Sequence, residues 1–225
     1  MSDMMMLGGS TMSSPWMRMP GQTWLDAAAS FLSMWVVMMV AMMLPSLVPM
    51  LWRYQHAVGR IGAARLAALT AVVGAGYFFV WTLVGVAVLP LSEAVAGLEM
   101  HWPALERAAP IAIGVVVVIA SSLQFTRWKA RRLAWCRQAP EHGRALRRDA
   151  GTAWRHGLCL GLQCGQSCAG LMAIVLVVGV MDLRAMTIVT AAITAERLAP
   201  RGVRVARAFG SVGVVAGVFL IMMNH

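Results

Sequence analysis

Charged side chains are scarce in this chain of 225 residues. Only 12% of its residues are Asp, Glu, Lys or Arg, whereas about a quarter are charged in an average soluble domain. Hydrophobic residues make up 60% of the chain. This composition excludes an ordinary soluble domain and predicts a membrane protein.

Several sequence signals are also missing. Residues 1–30 lack the basic start, short apolar core and cleavage site of a secretory signal, so we expect no cleaved signal. No internal repeat and no second, soluble domain is visible in the sequence. A phosphate-binding Gly loop, a zinc-protease motif and a Ser/His/Asp order are absent as well, so no motif indicates a hydrolase.

Long apolar runs are present instead, and six of them approach the roughly 20 residues with which a helix crosses a bilayer. The runs are Phe31–Trp52, Leu66–Leu89, Ala108–Phe125, Gly157–Val180, Ala185–Ala195 and Val205–Met223. Because backbone groups must pair internally in lipid, we predict an all-α membrane protein, a polytopic bundle of about six transmembrane helices. The fifth run is the weakest, and we expect its helix to be short, tilted or interfacial. We predict one helical domain over residues 31–225, after a Met-rich extracytoplasmic tail at residues 1–30.

The basic residues predict the orientation of this bundle. With the N-terminus outside, sixteen of the nineteen Lys and Arg fall in loops on one side of the membrane. That bias is typical of the cytoplasmic side of an inner-membrane protein. It also accounts for the net charge of +10 without nucleic-acid binding, so the bilayer is the partner that we expect for the basic surface.

The longest basic segment, residues 126–156, interleaves tryptophan with arginine. Trp128, Trp135 and Trp154 favour the headgroup level, and neighbouring arginines can extend to the same level. We therefore predict a partly helical strip that lies on the cytoplasmic surface.

The first apolar run is unusually rich in methionine, as "MWVVMMVAMMLPSLVPM" shows. Met34, Met38 and Met42 are spaced four residues apart, and Met39 and Met43 form a second column beside them. Residues four apart share one face of a helix, so the run predicts a face lined by thioethers. Two interpretations stay open here, because methionine also fills irregular gaps in helix packing.

A second group of sulfurs opens the fourth run, in "HGLCLGLQCGQSCAGLM". Cys164, Cys168 and Met172 have the same spacing of four and predict another sulfur-lined face. Gly157, Gly161 and Gly165 form a column of small residues that lets a neighbouring helix approach closely. The cysteines lie in the predicted cytoplasmic half, where we expect thiols rather than disulfides.

The two sulfur faces are expected at one depth. At about 1.5 Å per residue, Cys164 lies roughly 10 Å and Met43 roughly 13 Å from the cytoplasmic ends of their runs. Clustered thioethers and thiols favour copper(I), and zinc is a possible alternative. The candidate metal ligands are Met38, Met42, Met43, Cys164, Cys168 and Met172. Glu196, next to Arg197, is either a functional group within the membrane or part of an interfacial ion pair. His156 could be a further ligand, although we favour a solvated interfacial position for it.

These motifs resemble those of a known family. "MWVVMMVAMMLPS", "YFFVW", "QFTRWK" and "GLQCGQSCAGLM…GVMDLRAM…ER", in that order, are similar to an uncharacterised bacterial family of predicted metal-binding integral membrane proteins. The resemblance implies a multi-span bundle with a metal site, and by position it adds Met181, Met186 and Glu196 to the matching residues. The chain departs from the family where cysteine is frequent, at Arg132 and Ser167.

We therefore predict an inner-membrane protein that binds copper(I) for metal handling or delivery rather than catalysis. A membrane or periplasmic protein partner is expected to exchange the metal with it. Two other roles stay open at this stage. One is a structural or assembly subunit that docks through the glycine column, and the other is a membrane redox enzyme that uses Cys164 and Cys168.

Overall fold

The computed structural model describes residues 23–59, 61–101, 103–137, 149–178, 183–199 and 201–223. Within these ranges all regular structure is helical, with a short 3-10 turn at Leu123–Phe125. The α-helices are α1 (Trp24–Val58), α2 (Ala63–His101), α3 (Pro103–Ser122), α4 (Arg127–Arg137), α5 (Ala150–Val178), α6 (Leu183–Leu198) and α7 (Gly202–Met223). The predicted all-α fold is confirmed for these residues.

Four of the described helices, α1, α2, α5 and α7, are long and apolar enough to cross a membrane. A shorter apolar segment, Ile111–Phe125, comprises the second half of α3 and the 3-10 turn that follows it. Helix α6 has 16 residues, which at about 1.5 Å each reach roughly 24 Å, less than the roughly 30 Å of a hydrocarbon core. The fifth run is therefore short, as predicted, while six crossings remain a prediction.

Helix α1 extends beyond the predicted apolar run at both ends. It begins at Trp24, because Thr23 and Asp26 form a capping box in which each side chain accepts a hydrogen bond from the other residue's backbone N–H. The helix then continues through Pro45 and Pro49 and ends before Gly59, whose φ is 75°. The first part of the predicted Met-rich tail, residues 1–22, lies outside the described residues.

Glycines set the closest helix contacts. Helix α5 packs on α2 because Gly157 and Gly161 bring the two backbones together; a Cβ atom at Gly161 would lie 2.9 Å from the Tyr77 carbonyl oxygen. No atom would lie within 4 Å of a Cβ at Gly165. The predicted glycine column is thus confirmed at its first two positions and wrong at the third, where no neighbouring helix comes close.

The basic segment is partly helical, as predicted, and α4 is its described helix. Trp128 is exposed, but Lys129 is only 4% exposed, so not every side chain of this helix faces outwards. Lys129 turns inwards because its ammonium group forms an ion pair with Glu196 of α6. Residues 138–148 of the segment lie outside the described residues.

Candidate metal centre

One face of α1 supplies a column of sulfur atoms to the interior. Met39, Met43, Ser46 and Met50 follow the spacing i, i+4, i+7 and i+11, so they share that face. Met43 is fully buried and Met39 is 2% exposed. The face is fixed against α2 because the indole N–H of Trp35 donates a hydrogen bond of 2.9 Å to the Trp81 carbonyl oxygen.

All six candidate ligands predicted from the sequence are buried and belong to a single core cluster. Within this cluster, Cys164 Sγ of α5 lies 3.9 Å from Met43 Sδ of α1. The expectation that the two sulfur faces meet is therefore confirmed at this pair. The same cluster contains the other four candidate ligands, Met38, Met42, Cys168 and Met172. Met39, which belongs to the second methionine column but was not a candidate ligand, is also buried in this cluster.

Two polar groups that the sequence did not indicate as site residues are directed at the Cys164 sulfur. The Arg197 guanidinium donates from Nη1 to Cys164 Sγ at 2.9 Å. The Tyr77 hydroxyl donates to the same sulfur at 3.0 Å. Arg197 is 6% exposed and Tyr77 fully buried, so both donors lie in the interior with the thiol.

The Arg197 guanidinium has further contacts on α1. Nη1 donates to the Ser46 hydroxyl oxygen at 3.2 Å, and Nη2 lies 3.5 Å from Met50 Sδ. Ser46 in turn donates to the Met43 carbonyl oxygen at 3.0 Å. The guanidinium is therefore held between the sulfur of Cys164 and the sulfur of Met50.

An ion pair lies beside this group. Lys129 Nζ is 2.8 Å from Glu196 Oε2, and both side chains are at most 5% exposed. Lys129 also donates to the carbonyl oxygen of Ser167, which lies between the two buried cysteines of α5. Glu196, for which an interfacial ion pair was one prediction, therefore forms a buried ion pair with Lys129 of α4.

The other histidine, cysteine and methionine residues near the site have different positions. His156 stacks on Tyr54, with ring centroids 5.3 Å apart, rather than facing the sulfurs. Cys159 is an exposed thiol on α5, and Cys164 and Cys168 are also free thiols. Met186 packs against the cluster from α6, while the side chains of Cys136 and Met181 lie outside the described residues. Among the described residues, no group of three or more His, Cys, Asp and Glu could hold a metal ion.

The sulfur cluster lies within a region that one known family matches. The sequence profile of PpoB2, a family described as a copper chaperone, matches residues 32–220. The chain belongs to this copper chaperone family. The match supports the link to copper that the motifs indicated. The description of the matched family differs from that of the family named from the motifs. No curated protein and no solved structure matches the chain.

The chemistry of the cluster fits the cargo of a copper chaperone. Metal–sulfur bonds of roughly 2.3 Å, the value for zinc thiolates, allow two sulfurs on one ion to lie up to roughly 4.6 Å apart. The separation of 3.9 Å between Cys164 and Met43 falls within that limit. Thioether and thiolate sulfurs are the ligands that copper(I) prefers. A copper ion between α1 and α5 would therefore find suitable donors without a large movement of the helices.

Proposed function

We propose that this member of the copper chaperone family is an integral membrane protein that binds copper(I) between α1 and α5 and delivers it to a partner protein. The ligands are drawn from Met38, Met42, Met43, Cys164, Cys168 and Met172. The observation that carries the proposal is the buried contact of 3.9 Å between the Cys164 thiol and the Met43 thioether.

The donor set supports copper(I) rather than zinc. Zinc sites use Cys, His and carboxylate ligands, usually four in a structural site. Among the described residues no group of three such side chains is found, so a zinc site would lack ligands there. Copper(I) accepts thioethers, and methionine supplies most of the sulfurs in the cluster. The thiolate is the metal-binding form of cysteine, and the donors Arg197 and Tyr77 stabilise negative charge on the Cys164 sulfur.

The apolar outer surface supports placement in the bacterial inner membrane. Large apolar side chains of α7 point outwards, with Val212, Val215 and Phe219 at least 60% exposed. Such a surface is costly in water and suits a lipid environment. The split of basic residues supports an external N-terminus. Reporter fusions after Arg60, Arg148 and Arg204 test this topology: all three should read cytoplasmic, and an external reading after Arg148 would reverse it.

The two other roles left open by the sequence have less support. A thiol-based redox enzyme needs a partly exposed cysteine, whereas Cys164 is fully buried and Cys168 is 2% exposed. A subunit that docks through its glycine column needs that column free, whereas Gly157 and Gly161 are already packed against α2.

Copper stoichiometry tests the proposed site. The purified, reduced protein is titrated with copper(I) in competition with a chelator, first as the wild type and then as Cys164→Ser/Cys168→Ser. We expect the double variant to lose most of its tightly bound copper, because serine oxygen is a poor ligand for a soft ion. Cys159→Ser on the same helix is the matched control and should bind as the wild type does, since Cys159 is exposed and outside the cluster. Full copper binding by the double variant would mean that the buried thiols serve packing alone.

A further inference from the structure

One basic residue differs from all the others in type and in position. The chain has nineteen Lys and Arg residues, and Lys129 is the only lysine among them. It lies in the first turn of α4, where its backbone N–H donates to the Thr126 hydroxyl oxygen at 3.3 Å. Its side chain is buried, whereas those of Arg127 and Arg131 on the same helix are exposed. The lysine therefore points into the bundle from a helix whose neighbouring arginines face outwards.

The ammonium group of this lysine connects two helices of the candidate metal centre. Lys129 Nζ donates to the Ser167 carbonyl oxygen of α5 and lies 2.8 Å from Glu196 Oε2 of α6. The residue after Ser167 is Cys168, a candidate ligand. The residue after Glu196 is Arg197, which donates to the other buried thiol. One cation therefore joins the parts of α5 and α6 that surround the sulfurs.

The contact with Ser167 falls within the segment of α5 that carries both buried cysteines. Glycines at the two ends of this segment pack the backbone closely on other helices. A Cβ atom at Gly161 would lie 2.9 Å from a carbonyl oxygen of α2, and one at Gly170 would lie 2.8 Å from a carbonyl oxygen of α3. Between them, a Cβ at Gly165 would have no atom within 4 Å. In this interval Lys129 supplies a charged hydrogen bond to the α5 backbone.

We propose that Lys129 is a positioning residue of the copper site, which holds the cysteine-bearing segment of α5 and the end of α6 at the spacing that copper(I) binding requires. This inference deepens the proposed copper-binding function and depends on it. Lysine suits the role because its compact ammonium group has three donors on a flexible stem, so it can bond a carbonyl and a carboxylate at once. Removing a group that orients metal ligands typically lowers metal affinity about 10–100-fold.

A double substitution separates this role from the charge of the ion pair. Lys129→Met/Glu196→Gln removes both charges of the pair, so it avoids the large loss of stability that follows when only one partner is removed. We expect its unfolding midpoint to lie above that of Lys129→Met, while its copper(I) affinity in competition with a chelator falls about tenfold. Arg131→Met, at an exposed position on α4, is the matched control for both measurements. Wild-type copper affinity in the folded double variant would overturn the proposal.

A single substitution shows which member of the ion pair matters for the metal. Glu196→Gln keeps the lysine and its hydrogen bond to the Ser167 carbonyl oxygen, so copper affinity should fall less than in the double variant. An equal fall in the two variants would assign the effect to the carboxylate and would overturn the assignment to Lys129.

A measurement on the wild type stays decisive if a variant fails to fold. Because Lys129 is the only lysine, protein made with ¹³C-labelled lysine gives a single ε-methylene signal in an NMR spectrum. We expect this signal to shift as copper(I) fills the site, because the ammonium group is bonded next to Cys168. A wild-type protein that takes up no copper would refute the proposed function, and with it the role of Lys129. Copper uptake without a shift of the signal would refute only that role.

Discussion

Two buried regions of the molecule are filled in opposite ways. Between α3 and α7, glycines bring the helices into contact, and a Cβ at Gly217 would lie 3.0 Å from the Gly114 carbonyl oxygen. Between α1 and α5, long methionines and two cysteines fill the space. The glycine interface leaves no room for an extra atom, whereas the sulfur cluster is bounded by side chains that can shift. Soft donors and adjustable side chains therefore occur together in the second region.

The buried ion pair beside the sulfur cluster gives the largest expected effect. Lys129→Met leaves the Glu196 carboxylate buried without its ammonium partner, which should lower the free energy of unfolding by about 3–5 kcal/mol. The matched control is Arg127→Met, an exposed position on the same helix, which should change stability little. Chemical denaturation in detergent micelles measures both. Equal loss in the two variants would mean that the ion pair does not hold α4 against α6.

Differences in helix packing can be tested with one substitution at a tightly packed glycine and one at a glycine without a near neighbour. Gly217→Ala places a methyl group 2.7 Å from Val118 Cγ2 and should cost about 1–3 kcal/mol of stability by overpacking. Gly165→Ala meets no neighbour and should be neutral or stabilising by up to about 1 kcal/mol, because alanine favours the helix. Thermal unfolding of the two variants in the same detergent compares them. A larger loss of stability for Gly165→Ala than for Gly217→Ala would contradict the packing found at these two glycines.

Substitution of two methionines by leucine separates their contribution to packing from their contribution to metal binding. Met42→Leu/Met43→Leu keeps volume and apolarity, so it should cost less than about 1.5 kcal/mol at each site while copper(I) binding falls. The matched control is Met222→Leu/Met223→Leu, a second pair of adjacent methionines that is exposed at the end of α7. Helicity and copper stoichiometry are measured for both. Unchanged copper binding in the first variant would show that the methionines only fill space.

A substitution at a different level of α1 shows whether copper(I) binds at one site or along the helix. Met38→Leu should reduce binding less than the Met42 and Met43 pair, because Met38 lies about one helical turn further from Cys164. A loss as large as that of the double variant would indicate that the whole column takes part, as in a pathway, and not a single site.

The smallest expected effect is at Tyr77. Tyr77→Phe removes the hydroxyl that donates to Cys164 Sγ but keeps the buried ring, so copper affinity should fall about fivefold, the equivalent of roughly 1 kcal/mol. Tyr54→Phe is a suitable control, since that ring stacks on His156 instead of facing the cluster. Competition titration with a copper(I) chelator resolves such a difference. An unchanged affinity would mean that the hydroxyl does not support the metal-bound sulfur.

Much of the helical pattern and the sulfur faces could be predicted from the sequence. Apolar runs and the spacing of four residues are local properties, so they predicted α1, α5 and the faces that carry Met43 and Cys164. The helical rise per residue predicted that these two sulfurs lie at one level, which their contact confirms. The sequence did not pair Lys129 with Glu196, yet the two are buried together as an ion pair.

The sequence by itself determined the class of molecule, the helices and the kind of ligand that the interior offers, because composition and periodicity act within one segment of chain. Only the tertiary structure decided which groups surround the Cys164 sulfur. Tyr77 comes from α2 and Arg197 from α6, 87 and 33 residues away along the chain. The residues next to Tyr77 or Arg197 in the sequence do not indicate that its side chain contacts a sulfur on another helix. Its position depends on how glycines draw α2 against α5 and on how α4 covers the end of α6, and both are properties of the packed molecule.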